Sequence, residues 1–288
     1  MHEFLQTALN GLLTGGLYAL VGIGLAVIFG VMRVINFAHG EIMMVGMYLT
    51  FFLFTLLHVD PYLSLLVNMA ALFVLGYLIY RFLVSRIEKA AEMNQILLTA
   101  GIGLVLTNLA QLLFTANYRQ IHTWYTDRLV HVGAFTFNLA YLASFTLALL
   151  VTGAAYQFMM RTEFGRAMRA VAQNREAAQL MGINVSRVSA ITFGLGTAAA
   201  GAAAALLVPV YYFYPGVGGP FTQKSFVIVV LGGMGSILGA TFGGLILGVA
   251  EALTSLTVGE AYKDIAGFVI FLLILLLRPS GLFGRSRA

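Results

Sequence analysis

The 288 residues are 60% hydrophobic and 9% charged, where a soluble domain carries about 25% charged residues. No globular core buries that much apolar surface, so the bilayer must serve as solvent for much of the chain. The net charge of +5 sits in short basic loops beside apolar runs, which argues against a nucleic-acid partner, and the absence of cysteine excludes disulfide frameworks and thiolate chemistry.

A membrane span needs about 20 mostly apolar residues. In chain order the candidates lie near 4–30, 40–57, 62–84, 95–115, 139–160, 188–213 and 262–277. The first has no basic n-region and outruns a signal peptide, so it reads as the first membrane helix. A glycine-rich stretch from Lys224 to about Thr257 is the eighth candidate, long for one span and short for two. Gly232, Gly233 and Gly235 fall inside it, which predicts a broken or re-entrant helix enclosed by the bundle. The expected fold is therefore an all-α polytopic membrane protein of about eight helices, one of them broken, in a single domain over 1–288.

Basic residues give the orientation. Arg81, Arg86 and Lys89 form one cluster, Arg161, Arg166, Arg169, Arg175 and Arg187 a second, and Arg278, Arg285 and Arg287 a third at the C-terminus. The positive-inside rule makes all three cytoplasmic. The 116–138 loop then faces outside, with Tyr118, Trp124 and Tyr125 as interface aromatics. Counting back puts the N-terminus outside and Arg33 inside, unless the 33–41 segment dips into the membrane.

The longest polar segment runs over 161–187. Phe164, Met168 and Val171 share one side of a helical pattern there, with Arg166, Arg169 and Gln173 on others. Asn174 is a good N-cap, Glu176 suits the first turn and Gly182 a C′ position, which delimits a two-turn helix over 175–181. A helix that short is unstable alone and must dock on something. It is either a loop lying on the membrane surface or a docking helix whose exposed Ala177 and Ala178 admit a partner closely.

Asn36, His39 and Glu41 lie between two apolar runs. Polar groups at membrane depth usually face a cavity or one another. They mark either a helix break beside a path or an interfacial turn in which Asn36 or His39 caps the next helix. Gly11 and Gly15, Gly235, Gly239 and Gly243, and Gly244 and Gly248 repeat at four-residue spacing, which lets helices approach closely within the bundle. Asn108 and Gln111 share a helix face and are expected to bond a neighbouring helix. Glu251, Lys263 and Asp264 are placed near the outer interface. No catalytic constellation or metal-ligand spacing is present in the sequence.

Several of these segments resemble the LivH-type permeases of the branched-chain amino acid ABC importers. Glu176-Ala177-Ala178 followed at three residues' remove by Gly182 is similar to the EAA-x-x-x-G coupling motif, without its downstream Ile-x-Leu-Pro. Asn36-Phe37-Ala38-His39-Gly40-Glu41 resembles the NFAHG segment. The run Gly232 to Gly239 and the ending Arg278-Pro279-Ser280-Gly281-Leu282-Phe283-Gly284 fit as well, so the resemblance covers essentially the whole chain in order. It implies an ABC importer permease fold, with Arg175, Glu176, Ala177, Ala178 and Gly182 as the ATPase-coupling helix of a cytoplasmic 161–187 loop. Asn36, His39, Glu41, Gly232, Gly233 and Gly235 would lie along the translocation path.

The resemblance also implies a non-enzymatic subunit of the bacterial inner membrane that carries branched-chain amino acids or related small amides such as urea. Its partners would be a homologous LivM-type permease, two ATP-binding subunits that use ATP and Mg, and a periplasmic substrate-binding protein. The sequence carries no GxxxxGK[ST] motif, so this chain needs no cofactor of its own. The alternative is a self-contained secondary transporter or channel with Glu41 and the 232–236 break at its midplane. That reading leaves the helix at 175–181 without a task.

Overall fold

In a bilayer each backbone N–H must be satisfied within its own segment, so the long apolar runs fold as helices. The computed structural model describes residues 1–88, 90–278 and 280–283. Lys89, Pro279, Gly284, Arg285 and Arg287 lie outside the described residues. In chain order come α1 (His2–Met32), α2 (His39–Leu57), α3 (Ser64–Ile87) and α4 (Glu92–Phe114). A small hairpin follows, β1 (Leu129–Val132) paired antiparallel with β2 (Phe135–Asn138). Then come α5 (Leu139–Arg161), α6 (Glu163–Gln173), α7 (Arg175–Leu180) and α8 (Val185–Leu207). The chain ends with α9 (Gly218–Gly232), α10 (Ile237–Thr257) and α11 (Lys263–Leu277).

Among the described residues seven helices are long and apolar enough to cross a membrane: α1 to α5, α8 and α10. The fold is all-α and polytopic, as expected, but the eighth candidate is corrected. The break at 233–236 separates two helices rather than interrupting one span. The first of them, α9, begins well before Lys224, and α10 is long enough to span by itself. With 15 residues each, α9 and α11 reach ~22 Å and fall short of the ~30 Å hydrocarbon thickness.

The bundle is centred on α1 and α8, whose apolar windows are 78% and 89% buried, against 17% for α4 and α5 at the periphery. Small residues make this centre possible. A Cβ on Gly15 would lie 2.7 Å from the Gly244 carbonyl oxygen, and one on Gly248 would lie 2.4 Å from the Gly11 carbonyl oxygen, so α1 and α10 touch backbone to backbone. The four-residue glycine spacing thus packs the bundle internally. The Thr197 hydroxyl on α8 donates to the Leu72 carbonyl on α3 at 2.8 Å, where Gly76 leaves room for it. Asn68 of α3 donates to the Thr50 hydroxyl of α2 at 2.9 Å.

Two further expectations change. Asn108 and Gln111 are exposed on α4, and Asn108 bonds the Leu104 carbonyl of its own helix rather than a neighbour. Tyr118 and Trp124 are exposed, but Tyr125 is buried, because its hydroxyl donates to Asp60 and its ring stacks on Tyr62. Burial pushes the Tyr125 phenol up, and the neighbouring Tyr62 is pushed up to about 12 for the same reason.

Candidate functional site

After α1 ends at Met32 with Arg33 in a left-handed cap, the chain turns back into the bundle. The Asn36 side chain accepts from the Ala38 N–H at 3.1 Å, which closes the turn, and Thr99 of α4 pins it by donating to the Ile35 carbonyl at 3.1 Å. His39, the first residue of α2, is fully buried. Its Nε2 donates to the Val21 carbonyl at 3.0 Å, since that carbonyl accepts only. Val21 lies about 16 Å up α1 from Met32 at 1.5 Å per residue, so the 33–38 segment dips and α2 begins deep in the bundle. Neither His39 Nδ1 nor Asn36 Nδ2 has a partner among the described residues.

The start of α9 meets the start of α2 at this depth. A Cβ on Gly40 would lie 2.0 Å from the Gly218 carbonyl oxygen, so only glycine permits the contact. The Thr222 hydroxyl accepts from the Gly40 N–H at 2.8 Å and donates to the Glu41 carboxylate at 3.0 Å. Two helix N-termini, each a positive dipole end, thus converge beside Asn36, His39 and Glu41. Gly103 of α4 packs against the Glu41 carboxyl. Thr222 and Thr99 were invisible in the sequence, because a threonine in an apolar helix carries no signal of what it will face.

Gly232, Gly233 and Gly235 are not part of this cluster. They lie at the opposite end of α9, where Gly233 and Gly235 take φ of 97° and 86°. Gly235 packs on the backbone of Gly30 near the end of α1, and Gly232 on that of Gly239. The Leu282 and Phe283 N–H groups donate to the Leu231 and Gly232 carbonyls at 2.9 and 3.1 Å, so the C-terminal segment caps the open end of α9.

A charged cluster joins α9, α10 and α11. Lys224 pairs with Glu251 and, at 2.7 Å, with Asp264, and its ammonium lies 5.0 Å from the Tyr18 ring centre. Glu251 is therefore buried and paired, not hydrated at an interface. The sequence held a clue: a lone lysine at the head of a long apolar run must find an anion. A crevice of about 260 Å³ beside Glu251 is lined by Asn10, Thr14, Tyr18, Tyr141 and Tyr211, among others.

Beyond α5 lie α6 and α7. Met168 and Val171 are buried on the inner side of α6 as the pattern predicts, with Phe164 partly covered. Asn174 caps α7 by accepting from the Ala177 N–H at 3.0 Å. At the other end Gly182, with φ of 84°, donates to the Gln179 carbonyl, and Ile183 to that of Ala178, each at 3.0 Å, which is a Schellman ending. The helix expected over 175–181 spans Arg175–Leu180, with Met181 as its C-cap. The exposed Ala-Ala pair is corrected: Ala177 and Glu176 are exposed, but Ala178 is 4% exposed and packs inward, one turn after Asn174. The large apolar groups presented outward are instead Leu180 and Met181, 88% and 83% exposed. Arg175 donates to Glu88 at 2.6 Å, and that bond holds its guanidinium above its ordinary pKa.

Residues 7–277 match the family described as branched-chain amino acid transport system / permease component. The chain belongs to this family. Among its relatives are the high-affinity branched-chain amino acid transport system permease protein BraD of Pseudomonas aeruginosa, 35% identical over 99% of this chain and 97% of that protein. The permease protein LivH of Escherichia coli K12 is 34% identical over 98% and 96%. A probable LivH of Methanocaldococcus jannaschii is 28% identical over 96% and 91%. No solved structure matches the chain. The permease is accordingly a non-catalytic, multi-pass transport subunit of the kind that works within multi-subunit ABC importers.

Proposed function

We propose that the whole chain forms one permease domain that provides half of the path for branched-chain amino acids, driven by ATP-binding subunits docked on α7. A homologous LivM-type permease completes the path, two ATP-binding subunits supply the energy, and a periplasmic binding protein delivers the substrate. The C-terminus and the 161–187 loop are cytoplasmic. Asn36, His39 and Glu41, joined by Thr222, line the path at mid-depth, where unpaired acceptor and donor atoms receive a polar solute. The turn at Gly232, Gly233 and Gly235 is the joint at its inner mouth.

The observation that carries this reading is α7 itself. A six-residue helix capped at both ends, with Glu176 and Ala177 outward and Leu180 and Met181 almost fully exposed, is built to be covered by another protein. The test uses the assembled importer in proteoliposomes. Leu180→Asp with Met181→Asp should abolish co-purification of the ATP-binding subunits and lower uptake about tenfold or more, while this chain stays folded. Uptake of leucine by vesicles holding this chain alone would sink the proposal, and urea competing as well as isoleucine would reassign the substrate.

A further inference from the structure

Glu88 lies in the turn between α3 and α4, and its side chain is 6% exposed. It accepts from the Tyr80 hydroxyl at 2.8 Å, from Arg175 at 2.6 Å and from the Ser189 hydroxyl at 3.2 Å. Its backbone carbonyl accepts from the Gln95 amide at 3.1 Å. One residue therefore joins α3, α4, α7 and α8. Among the described residues the Arg175–Glu88 pair is the only side-chain hydrogen bond from α7 to the rest of the bundle, and α7 is too short to hold its position unaided.

Tyr80 opens a π-helical stretch, Tyr80–Val84, within α3. Such stretches break the regular ladder and recur at functional sites. Ser189 stands near the start of α8, the most buried helix of the bundle. Resting on the importer reading above, we propose that Glu88 is the positioning residue through which a displacement of α7 reaches α3 and α8. The Glu88 carboxylate is buried while the Arg175 side chain stays 35% exposed, so the effective dielectric between them is lower than for a fully exposed surface pair and the tie is correspondingly stiffer. With the pair intact, α7 and the α3–α4 turn move as one body. Without it, α7 still docks on its partner but keeps only the inward packing of Ala178 and its backbone connections as ties to the bundle.

The chain has no cysteine, so Glu88→Cys with Arg175→Cys creates a unique site for a short thiol cross-linker. The assembled importer, with its ATP-binding subunits, second permease and binding protein, is assayed for co-purification, ATP hydrolysis and uptake. Glu88→Gln should keep assembly and hydrolysis near wild type and lower uptake per ATP about tenfold. The double-cysteine chain should assemble and hydrolyse ATP but be uncoupled when reduced and regain coupled uptake when bridged, whereas a merely structural role for Glu88 would lower assembly and hydrolysis along with uptake. Wild-type coupling in Glu88→Gln would overturn the proposal, as would a bridged chain that stays uncoupled. If Glu88→Gln fails to assemble, the bridged chain decides. Wild-type complexes that hydrolyse ATP without any uptake would overturn the importer reading itself, and this role with it.

Discussion

Gly182 has open space around its missing Cβ and a φ of 84°. Gly182→Ala should therefore cost about 1–2 kcal/mol through conformation alone, and Gly182→Asn less, since asparagine tolerates this region better. Protease nicking of the 174–187 loop should rise in that order: wild type, Asn, Ala. Local chemistry of this kind was legible in the sequence, because a cap is decided by residues a few positions away, and Asn174, Glu176 and Gly182 all sit as their types dictate. What a side chain faces across the bundle was not legible. Ala177 and Ala178 are identical in sequence, yet only the second turns towards the protein. Likewise Tyr125 read as an interface aromatic like Trp124 until Asp60, 65 positions away, appeared beside its hydroxyl.

Among elements, the contact of α1 with α10 depends on glycine most directly. Gly248→Leu would drive a branched side chain into the backbone of Gly11 and Gly15, and the helices would have to separate at a cost of about 1–3 kcal/mol or more. The expected readout is a lower melting temperature of the purified chain in detergent. An equal-sized change at Gly153, which faces open space, should leave it unmoved. The four-residue spacing announced that close packing would occur, though not which helices would meet. The break at 233–236 was legible from its glycines, whereas the start of α9 was not, because Gly218 and Gly219 look like an ordinary loop until Gly40 is seen against Gly218.

On the scale of the whole molecule, Lys224 and Glu251 tie α9 to α10 through charges taken out of water, and the more exposed Asp264 extends the cluster to α11. Removing one partner of such a pair typically costs 3–5 kcal/mol, because the other stays buried and uncompensated. Lys224→Met should thus destabilise strongly, and adding Glu251→Leu should recover most of the loss, measured as thermal unfolding in detergent. A double variant no better than the single one would show that the pair is not what holds these helices. Sequence reading placed Glu251 at a hydrated interface because it had no means of bringing Lys224 to it, 27 positions away.

The central position of α1 bears on how the protein is made. Its glycine-lined side is covered by α10, which emerges roughly 200 residues later. At about 5–20 residues per second the helix waits on the order of 10–40 s with its closest-packed surface against lipid. During that interval α5 and α8 can pack on other sides of α1, while its glycine-lined side has no helix against it. The order of synthesis and the order of packing run opposite ways, so a nascent chain stopped after α8 already contains the centre of the bundle but not the helix that encloses it.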